Sequence, residues 1–418
     1  MRLTSILRRR HPIKGFIYES AEIVTQAGRE AIEVSVRPAS GASGICGICQ
    51  QPAPGYETSK KARRFEFVPF WGLAVFLVYH MRRVNCPRCG VRTEHIPWAR
   101  GKHHLTDAYM LFLATWGRMI SWAAVARVFH TSWQNVFRSI EWVVAYGLEH
   151  RVLDGITAIG IDEILWQRGY KFLTVVYQLN NGARRLLWVG RDRKAKTLLR
   201  FFRLMGKERS AVLRCICSDM WKPYVKVIRK KAAQALHVID RFHLVANLNK
   251  ALDRVRAGEA RKAARKGYQV ALKHTRWCFL KRPENLTDKQ QVKLRDVLKF
   301  DMKSVRAYLL KESLQALWEY RSPAWAGKFL DRWITRVRRS RIKPLRVVAE
   351  QFSRYRAEVL NWFRVGKQFN SGIVEAYNNR IKLVIRKACG FRTYDAIELA
   401  LYHNLGALPE PAITHRLW

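Results

Sequence analysis

Apolar and polar residues alternate in twos through much of the first hundred positions, which is the period of a half-buried strand. Residues 1–39 hold short alternating stretches such as IEVSV at 32–36, predicting one or two strands that pack on the segment C-terminal to them. RRFEFVPF (63–70) and LAVFLVYHMRRV (73–84) predict two more, joined at Trp71-Gly72. Residues 38–44 are rich in Gly, Ser and Pro and predict a connector. Over 105–150 the apolar period lengthens to that of helices. Between 156 and 240 strands and helices alternate. From 244 to about 365 the pattern is almost wholly helical, and a last helical stretch covers 371–405. The chain shows no internal repeat.

The alternating stretch has a definite order. ITAIGID (156–162) predicts a strand ending on Asp162. YKFLTVVYQL (170–179), the turn signal Asn180-Asn181-Gly182 and ARRLLWVG (183–190) extend it into an antiparallel meander. A helix over 194–205 has Leu198, Leu199, Phe202 and Leu204 as its apolar face. AVLRCICS (211–218) is a short buried strand ending at Asp219. A helix over 222–232 then leads to ALHVI (235–239), which ends at Asp240. Strand-strand-strand-helix-strand-helix-strand is the order of a ribonuclease-H-like core, where the first and fourth strands are neighbours.

In that arrangement Asp162 and Asp219 converge. Two carboxylates at adjacent strand ends repel unless a cation lies between them. Hard oxygen donors suit magnesium, and two ions ~4 Å apart serve phosphoryl transfer. A third acid fits on the helix NSGIVEAYNNRIKLVIRKACGF (370–391). There Val374, Tyr377, Ile381, Val384 and Ala388 make the apolar stripe, and Glu375, Asn378 or Asn379, Lys382 and Arg386 the neighbouring polar one. Glu375 suits the metal, and Asn379, Lys382 and Arg386 suit the phosphodiester beyond it. The competing reading is a solvated helix face. Asp192 and Glu163 rank below the triad: Asp192 sits in the basic turn RDRK, and Glu163 points away from Asp162 if the strand continues. Asp240 and His243 form a second tier, where Asp240 either caps the next helix or joins the site.

Cys46-Gly-Ile-Cys49 and Cys86-Pro-Arg-Cys89-Gly90 are two CxxC pairs, each able to form a knuckle with two thiolates. With the strands over 63–84 between them they predict a zinc ribbon. Four thiolates leave no open position, so this zinc is structural. His95, His103 and His104 read as surface residues.

Residues 117–144 read as a helix-turn-helix. Ala123, Val125, Ala126 and Phe129 lie at helical spacing, and His130-Thr131-Ser132 breaks the helix with Ser132 as N-cap. Val136, Ile140 and Val143 continue a second stripe, which leaves Gln134, Asn135 and Arg138 exposed for base edges or phosphates. An ordinary helical hairpin is the alternative.

Charge sharpens the picture. Of 418 residues, 77 are Lys or Arg and 32 Asp or Glu, a net of +45. With 49% hydrophobic residues the chain can build cores, which excludes global disorder. Such a charge wants a polyanion, and nucleic acid is the best candidate. No apolar run reaches the ~18–20 residues of a membrane span. The start, MRLTSILRRRHP, has no apolar core after it and does not read as a secretory signal. Eight cysteines are too few for a disulfide scaffold, and the spacing of the two CxxC pairs points instead to metal and a reducing cytoplasm. Residues 250–346 carry 27 Lys and Arg against 9 Asp and Glu, a net of +18, interleaved with Trp277, Trp318, Trp325 and Trp333. This segment separates Asp219 from Glu375 by 156 positions and predicts an all-helical insertion that clamps DNA. Helix packing accounts for at least three of its tryptophans.

The ordered set of motifs resembles the ISL3 family of bacterial insertion-sequence transposases, a DDE group, from about residue 40 to 405. The matching residues are the double CxxC, the helix-turn-helix, IGIDE (159–163), SDMWKPY (218–224), DRFHL (240–244) and VEAYNNRIKLVIRKACGF (374–391). One departure is FNSGIVEAYN before and around the glutamate, where the family more often has Ser-Asn-Gly. The resemblance implies that Asp162, Asp219 and Glu375 are a catalytic triad using Mg2+ or Mn2+. It implies a substrate of double-stranded DNA, namely terminal inverted repeats and target DNA. A DxxH pair like Asp240/His243 recurs in related transposases as a positioning or DNA-contact element. The organisation expected is a multidomain α/β protein: an N-terminal arm (1–39), a four-cysteine ribbon (40–100), a helix-turn-helix (101–150), a core (151–249), the basic insertion (250–365), the glutamate helix (366–406) and a tail (407–418). Synapsis of two ends predicts at least a homodimer on DNA, in the bacterial cytoplasm at the nucleoid. The competing function is a catalytically silent, transposase-derived regulator.

Overall fold

The computed structural model describes residues 2–26, 28–167, 169–180, 182–265, 272–366 and 371–412, without the side chains of Gln26 and Ser371. Asn181, residues 266–271, the Phe369-Asn370 lead-in to the glutamate helix and the tail from residue 413 lie outside the described residues. The chain forms two compact units, residues 1–152 with 384–418, and residues 153–383.

The first unit opens with helix α1 (Leu3–Arg10) and strands β1 (Phe16–Gln26) and β2 (Arg29–Pro38). Short strands β3 (Gly44–Ile45), β4 (Pro52–Ala53) and β5 (Gly55–Thr58) come next, then β6 (Arg63–Phe70), β7 (Leu73–Tyr79), β8 (Arg82–Cys86) and β9 (Gly90–Thr93). The expected ribbon layout is corrected here. β6 and β7 do pair, but within a four-stranded sheet of order β1-β2-β7-β6, with β2 and β7 parallel. Both β2 and β7 bury alternate residues, so Ile32, Val34 and Val36 join Val75, Leu77 and Tyr79 in one core. Completing that apolar face outweighs keeping β6 and β7 beside the cysteines, which sit instead on the small sheets β3-β4 and β5-β8-β9.

Helices α2 (Asp107–Met119), α3 (Trp122–Val128) and α4 (Trp133–His150) complete the N-terminal part. The side chains of Thr106, Ser121 and Ser132 cap them, Ser132 accepting from the Asn135 N–H at 3.1 Å. The small residue that matters for close crossing is Gly117, where a Cβ would stand 2.8 Å from Ile140 of α4.

The second unit is built on β10 (Ala158–Gln167), β11 (Lys171–Gln178) and β12 (Arg185–Arg191), then α5 (Ala195–Ala211), β13 (Cys215–Ser218), α6 (Lys222–Lys231) and β14 (Leu236–Ile239). The sheet order is β12-β11-β10-β13-β14, antiparallel among the first three strands and parallel from β10 to β14. Beyond the sheet lie helices α7 (Arg241–Arg265), α8 (Arg276–Leu280), α9 (Asp288–Leu298), α10 (Lys303–Gln315), α11 (Pro323–Arg339), α12 (Lys343–Arg354) and α13 (Arg356–Arg364). They dock onto the sheet through α13: the Asn361 amide donates to the His237 carbonyl at 2.8 Å, and the Tyr355 hydroxyl to the Met220 carbonyl at 3.1 Å. Two of the four tryptophans are packed rather than three. Trp318 and Trp333 are buried, whereas Trp277 and Trp325 are exposed. The chain then runs through α14 (Ser371–Lys387) and α15 (Tyr394–Leu405).

Candidate active site

β10 does not stop at Asp162 but continues five residues to Gln167. Pairing with β11 runs the length of β10, which holds the extra residues in the sheet. What ends near Asp162 is the other ladder. The last β10–β13 pair is Gly160 with Cys217. Two residues further along both parallel strands, Asp162 is level with Asp219. The β13–β14 ladder ends at Ser218 with Ile239, so Asp219 is in turn level with Asp240. Neighbouring strands lie ~4.8 Å apart. The three aspartates therefore form one row across the carboxyl ends of β10, β13 and β14.

Each member of the row is oriented by a backbone N–H. Asp162 Oδ1 accepts from Glu163 at 2.7 Å, Asp219 Oδ1 from Trp221 at 2.8 Å, and Asp240 Oδ1 from Phe242 at 2.7 Å. The last of these bonds caps α7, so Asp240 does cap its helix, whereas the Asp219 bond lies ahead of α6, at its N-cap residue Trp221. Asp240 Oδ2 still faces His243 at 3.8 Å, and His243 is close enough to favour the ionised form of Asp162. Both readings of the Asp240/His243 pair thus have a physical basis.

Burial raises the Asp162 carboxyl above its ordinary value, with the Asp219 charge adding to the shift. The Asn378 amide of α14 opposes it by donating to Asp162 Oδ2 at 2.5 Å. Asn378 is itself held by the fully buried Tyr177, whose hydroxyl donates to its Oδ1 at 3.1 Å. Gly160 lets the helix come this close, since a Cβ there would meet Val374 at 2.9 Å. Asn378 is the residue that reaches the aspartate; Asn379 is exposed, as are Lys382 and Arg386. Glu375 lies one turn before Asn378, is exposed, and borders a cavity with Arg241 and Trp362.

Two further residues belong to the cluster. Arg193 Nε donates to Glu163 at 2.9 Å and its Nη2 to Asp219 Oδ2 at 3.2 Å, with the guanidinium 4.7 Å from the Trp221 ring. Burial and the Asp219 charge nevertheless push the Glu163 carboxyl up to about 8. Asp192 is exposed and pairs with Lys194 at 3.2 Å. Arg193 lies in the RDRK turn, where only the folded sheet shows that it faces two acids.

The donor set suits a divalent cation in offering oxygen ligands only, on carboxyls that burial holds above their ordinary values at Asp162 and Glu163. Among the described residues Asp162, Asp219 and Glu375 do not all approach within 4.8 Å of one another. Glu163 gives a pH signature. Its folded pKa lies above the unfolded one, so its contribution to stability is present at low pH and lost as pH rises through about 8. Added magnesium is expected to raise the unfolding temperature more at pH 8 than at pH 5.5, because protons no longer compete for the site. Equal gains at both values would show that these carboxyls do not bind the ion.

In the first unit the Sγ atoms of Cys46, Cys49, Cys86 and Cys89 all lie within 4.8 Å of one another. A backbone bridge between Cys46 and Glu94 ties the first knuckle to the end of β9, the strand that leaves the second, and Gly90 takes the positive φ of +74° that closes the second. Backbone N–H groups of Cys49 and Ile48 pull the Cys46 thiol down to about 7, which favours the thiolate a metal needs. Gln134 and Arg138 are exposed on α4, while Asn135 is tied locally, its Nδ2 donating to Thr131 at 3.0 Å.

These features can be set beside known proteins. The sequence model of ISL3-type DDE proteins, described as transposase, matches residues 159–401, an interval that holds Asp162, Asp219, Asp240 and Glu375. The transposase for insertion sequence element IS1557 of Mycobacterium tuberculosis (strain CDC 1551 / Oshkosh) is 32% identical over 406 residues, covering 90% of this chain and 88% of that protein. The transposase for insertion sequence element IS1001 of Bordetella parapertussis is 28% identical over 351 residues, covering 83% of this chain and 84% of that protein. The chain belongs to the ISL3 family of DDE transposases.

Proposed function

We propose that this chain is a DNA transposase that binds the terminal inverted repeats of its insertion sequence, cuts at the element end and joins that end to target DNA. The observation that carries the reading is the level row of Asp162 and Asp219, with α14 docked on the first through Asn378. The strand order supports a ribonuclease-H-like core. Asp162, Asp219 and Glu375 hold magnesium or manganese, which when bound neutralises charge and activates oxygen at a phosphodiester. Asn378 aims Asp162 Oδ2, and the Trp221 N–H leaves Asp219 Oδ2 free to exchange Arg193 for a cation. In cleavage a water oxygen bonds to phosphorus, the P–O3′ bond breaks and the element end leaves as a 3′-hydroxyl. In joining, that hydroxyl oxygen bonds to a target phosphorus and displaces the target's own 3′ oxygen.

Recognition falls to the rest of the chain. Arg332, Arg336, Arg338, Arg339, Arg341 and Arg346 are exposed on and between α11 and α12, and none pairs with a carboxylate among the described residues. Such a band suits DNA phosphates. Helices α3 and α4 read the repeat as a helix-turn-helix through Gln134, Asn135 and Arg138, and Asn379, Lys382 and Arg386 contact backbone. The four cysteines bind one structural Zn2+. Cys46→Ser is expected to reduce zinc content from about one per chain to none and to expose β3–β9 to proteolysis. Retained zinc would contradict the ligand assignment. The protein acts in the bacterial cytoplasm at the nucleoid, as at least a dimer on end DNA. The activity is tested by incubating labelled end duplex with plasmid and magnesium: joined product is expected, and cleavage without joining would instead indicate a nuclease.

A further inference from the structure

Beside Glu375 lies a cavity of about 340 Å³, bordered by Arg241 and Asn249 of α7, Arg282, Gln315 of α10, Trp362 of α13 and Glu375 of α14. We propose that it takes a single nucleotide extruded from a DNA strand at the element end, an inference that rests on the transposase reading above. Four observations converge on that occupant.

Two guanidiniums border the cavity, and Glu375 is the one carboxylate among its described lining residues. Arg241 stands 4.8 Å from the Trp318 ring and 6.0 Å from Trp362. Burial and the Arg282 charge both disfavour its protonated form. Among the described residues Arg241 has no carboxylate partner, and Arg282 reaches only the exposed Glu284, at 3.7 Å. Like charges brought together in a partly dry cleft are set for an anion, and a phosphate supplies it. The floor holds a buried ammonium whose charge Glu312 balances. Lys311 is 2% exposed, with Nζ donating to the Phe279 carbonyl at 3.0 Å and paired with Glu312 at 2.7 Å.

The second observation is an unused acceptor. Asn249 Oδ1 is buried and has no hydrogen-bond partner among the described residues. Together with the Gln315 amide it can read the edge of a base, and burying a carbonyl oxygen unpaired is costly otherwise. Third, Trp362 and Phe242 add aromatic wall, the surface on which an unstacked base is held. Fourth, the volume is at the low end of the ~300–1,000 Å³ of small-molecule sites. A duplex is too wide for it, and one unstacked nucleotide is of the right scale. Because Glu375 borders the same cavity, a nucleotide seated there fixes the register of the neighbouring phosphodiester against the carboxylates.

The test uses the full chain and end duplexes carrying 2-aminopurine at each successive position within ten base pairs of the cleavage site. Fluorescence is read in calcium, so that no cleavage is required, and cleavage is read in parallel in magnesium. One position is expected to brighten by at least ~3-fold as its base unstacks. Arg282→Ala and Asn249→Leu are expected to abolish that signal and slow cleavage ~10–100-fold, with end-duplex affinity held within ~3-fold. Arg282 is exposed, so its variant should fold even where Asn249→Leu does not. A flat signal at every position, with wild-type cleavage intact, overturns the cavity proposal and leaves the transposase reading standing. A bright position without any cleavage in magnesium does the reverse. Unaltered cleavage and fluorescence in Arg282→Ala also overturn the proposal.

Discussion

Asp162→Asn is expected to lower end cleavage by at least ~10³-fold, about 4 kcal/mol of transition-state stabilisation, while end-DNA affinity changes by less than ~3-fold. The substitution is nearly isosteric. Its side-chain oxygen can still accept from the Glu163 N–H, so β10 should keep its place. What is lost is the negative charge, and with it the Oδ2 acceptor of the Asn378 amide, in a row where Asp219 and Asp240 lie level with position 162. On the proposed function affinity resides elsewhere, in the exposed arginines of α11 and α12 and in the first unit, so its salt dependence should match wild type. Gel shift and cleavage on one duplex check this. Parallel loss of both would make Asp162 a residue of the fold rather than of the reaction.

Asn378→Asp should be less severe, with a different signature. The wild-type amide donates to Asp162 and holds that carboxyl down against burial. A carboxylate at 378 removes the donor and adds a like charge. Cleavage is expected to fall ~10–100-fold, as for outer-shell partners of metal ligands, and to need more magnesium. The pH profile should move upward, because Asp162 then ionises only at higher pH. Tyr177→Phe should show a weaker form of the same shift, since the Tyr177 hydroxyl only holds the amide in place. A merely structural role for Asn378 would lower the rate and leave the pH profile where it was.

The positions of the acids were legible in the chain because short apolar runs end in aspartate at 219 and 240, and local alternation predicts β13 and β14. The extension of β10 was not. EILWQ after Asp162 is a short mixed run whose strand character comes from pairing with β11. Nor was the partner of β7: a parallel pairing with β2 across some forty residues leaves no local mark. The choice between Asn378 and Asn379 turns on about 100° of helix phase, which is settled only when Val374 meets Gly160. Arg193 and Glu163 were hidden for a related reason, since a turn residue and a strand residue thirty positions apart meet only in the folded sheet. The cysteine spacing, by contrast, predicted the convergence of the four sulfurs but not the strands that carry them.

The proposed reaction is a cut at the element end, made by the aspartate row and Glu375 with a divalent cation. It is tested most directly by cleavage of a labelled duplex carrying that end, in magnesium, with wild type beside Asp219→Asn. A nick at the element end is expected that releases a 3′-hydroxyl, depends on the metal and disappears in the variant. Specific binding of the same duplex without cleavage by wild type, or equal cleavage by both proteins, would contradict it.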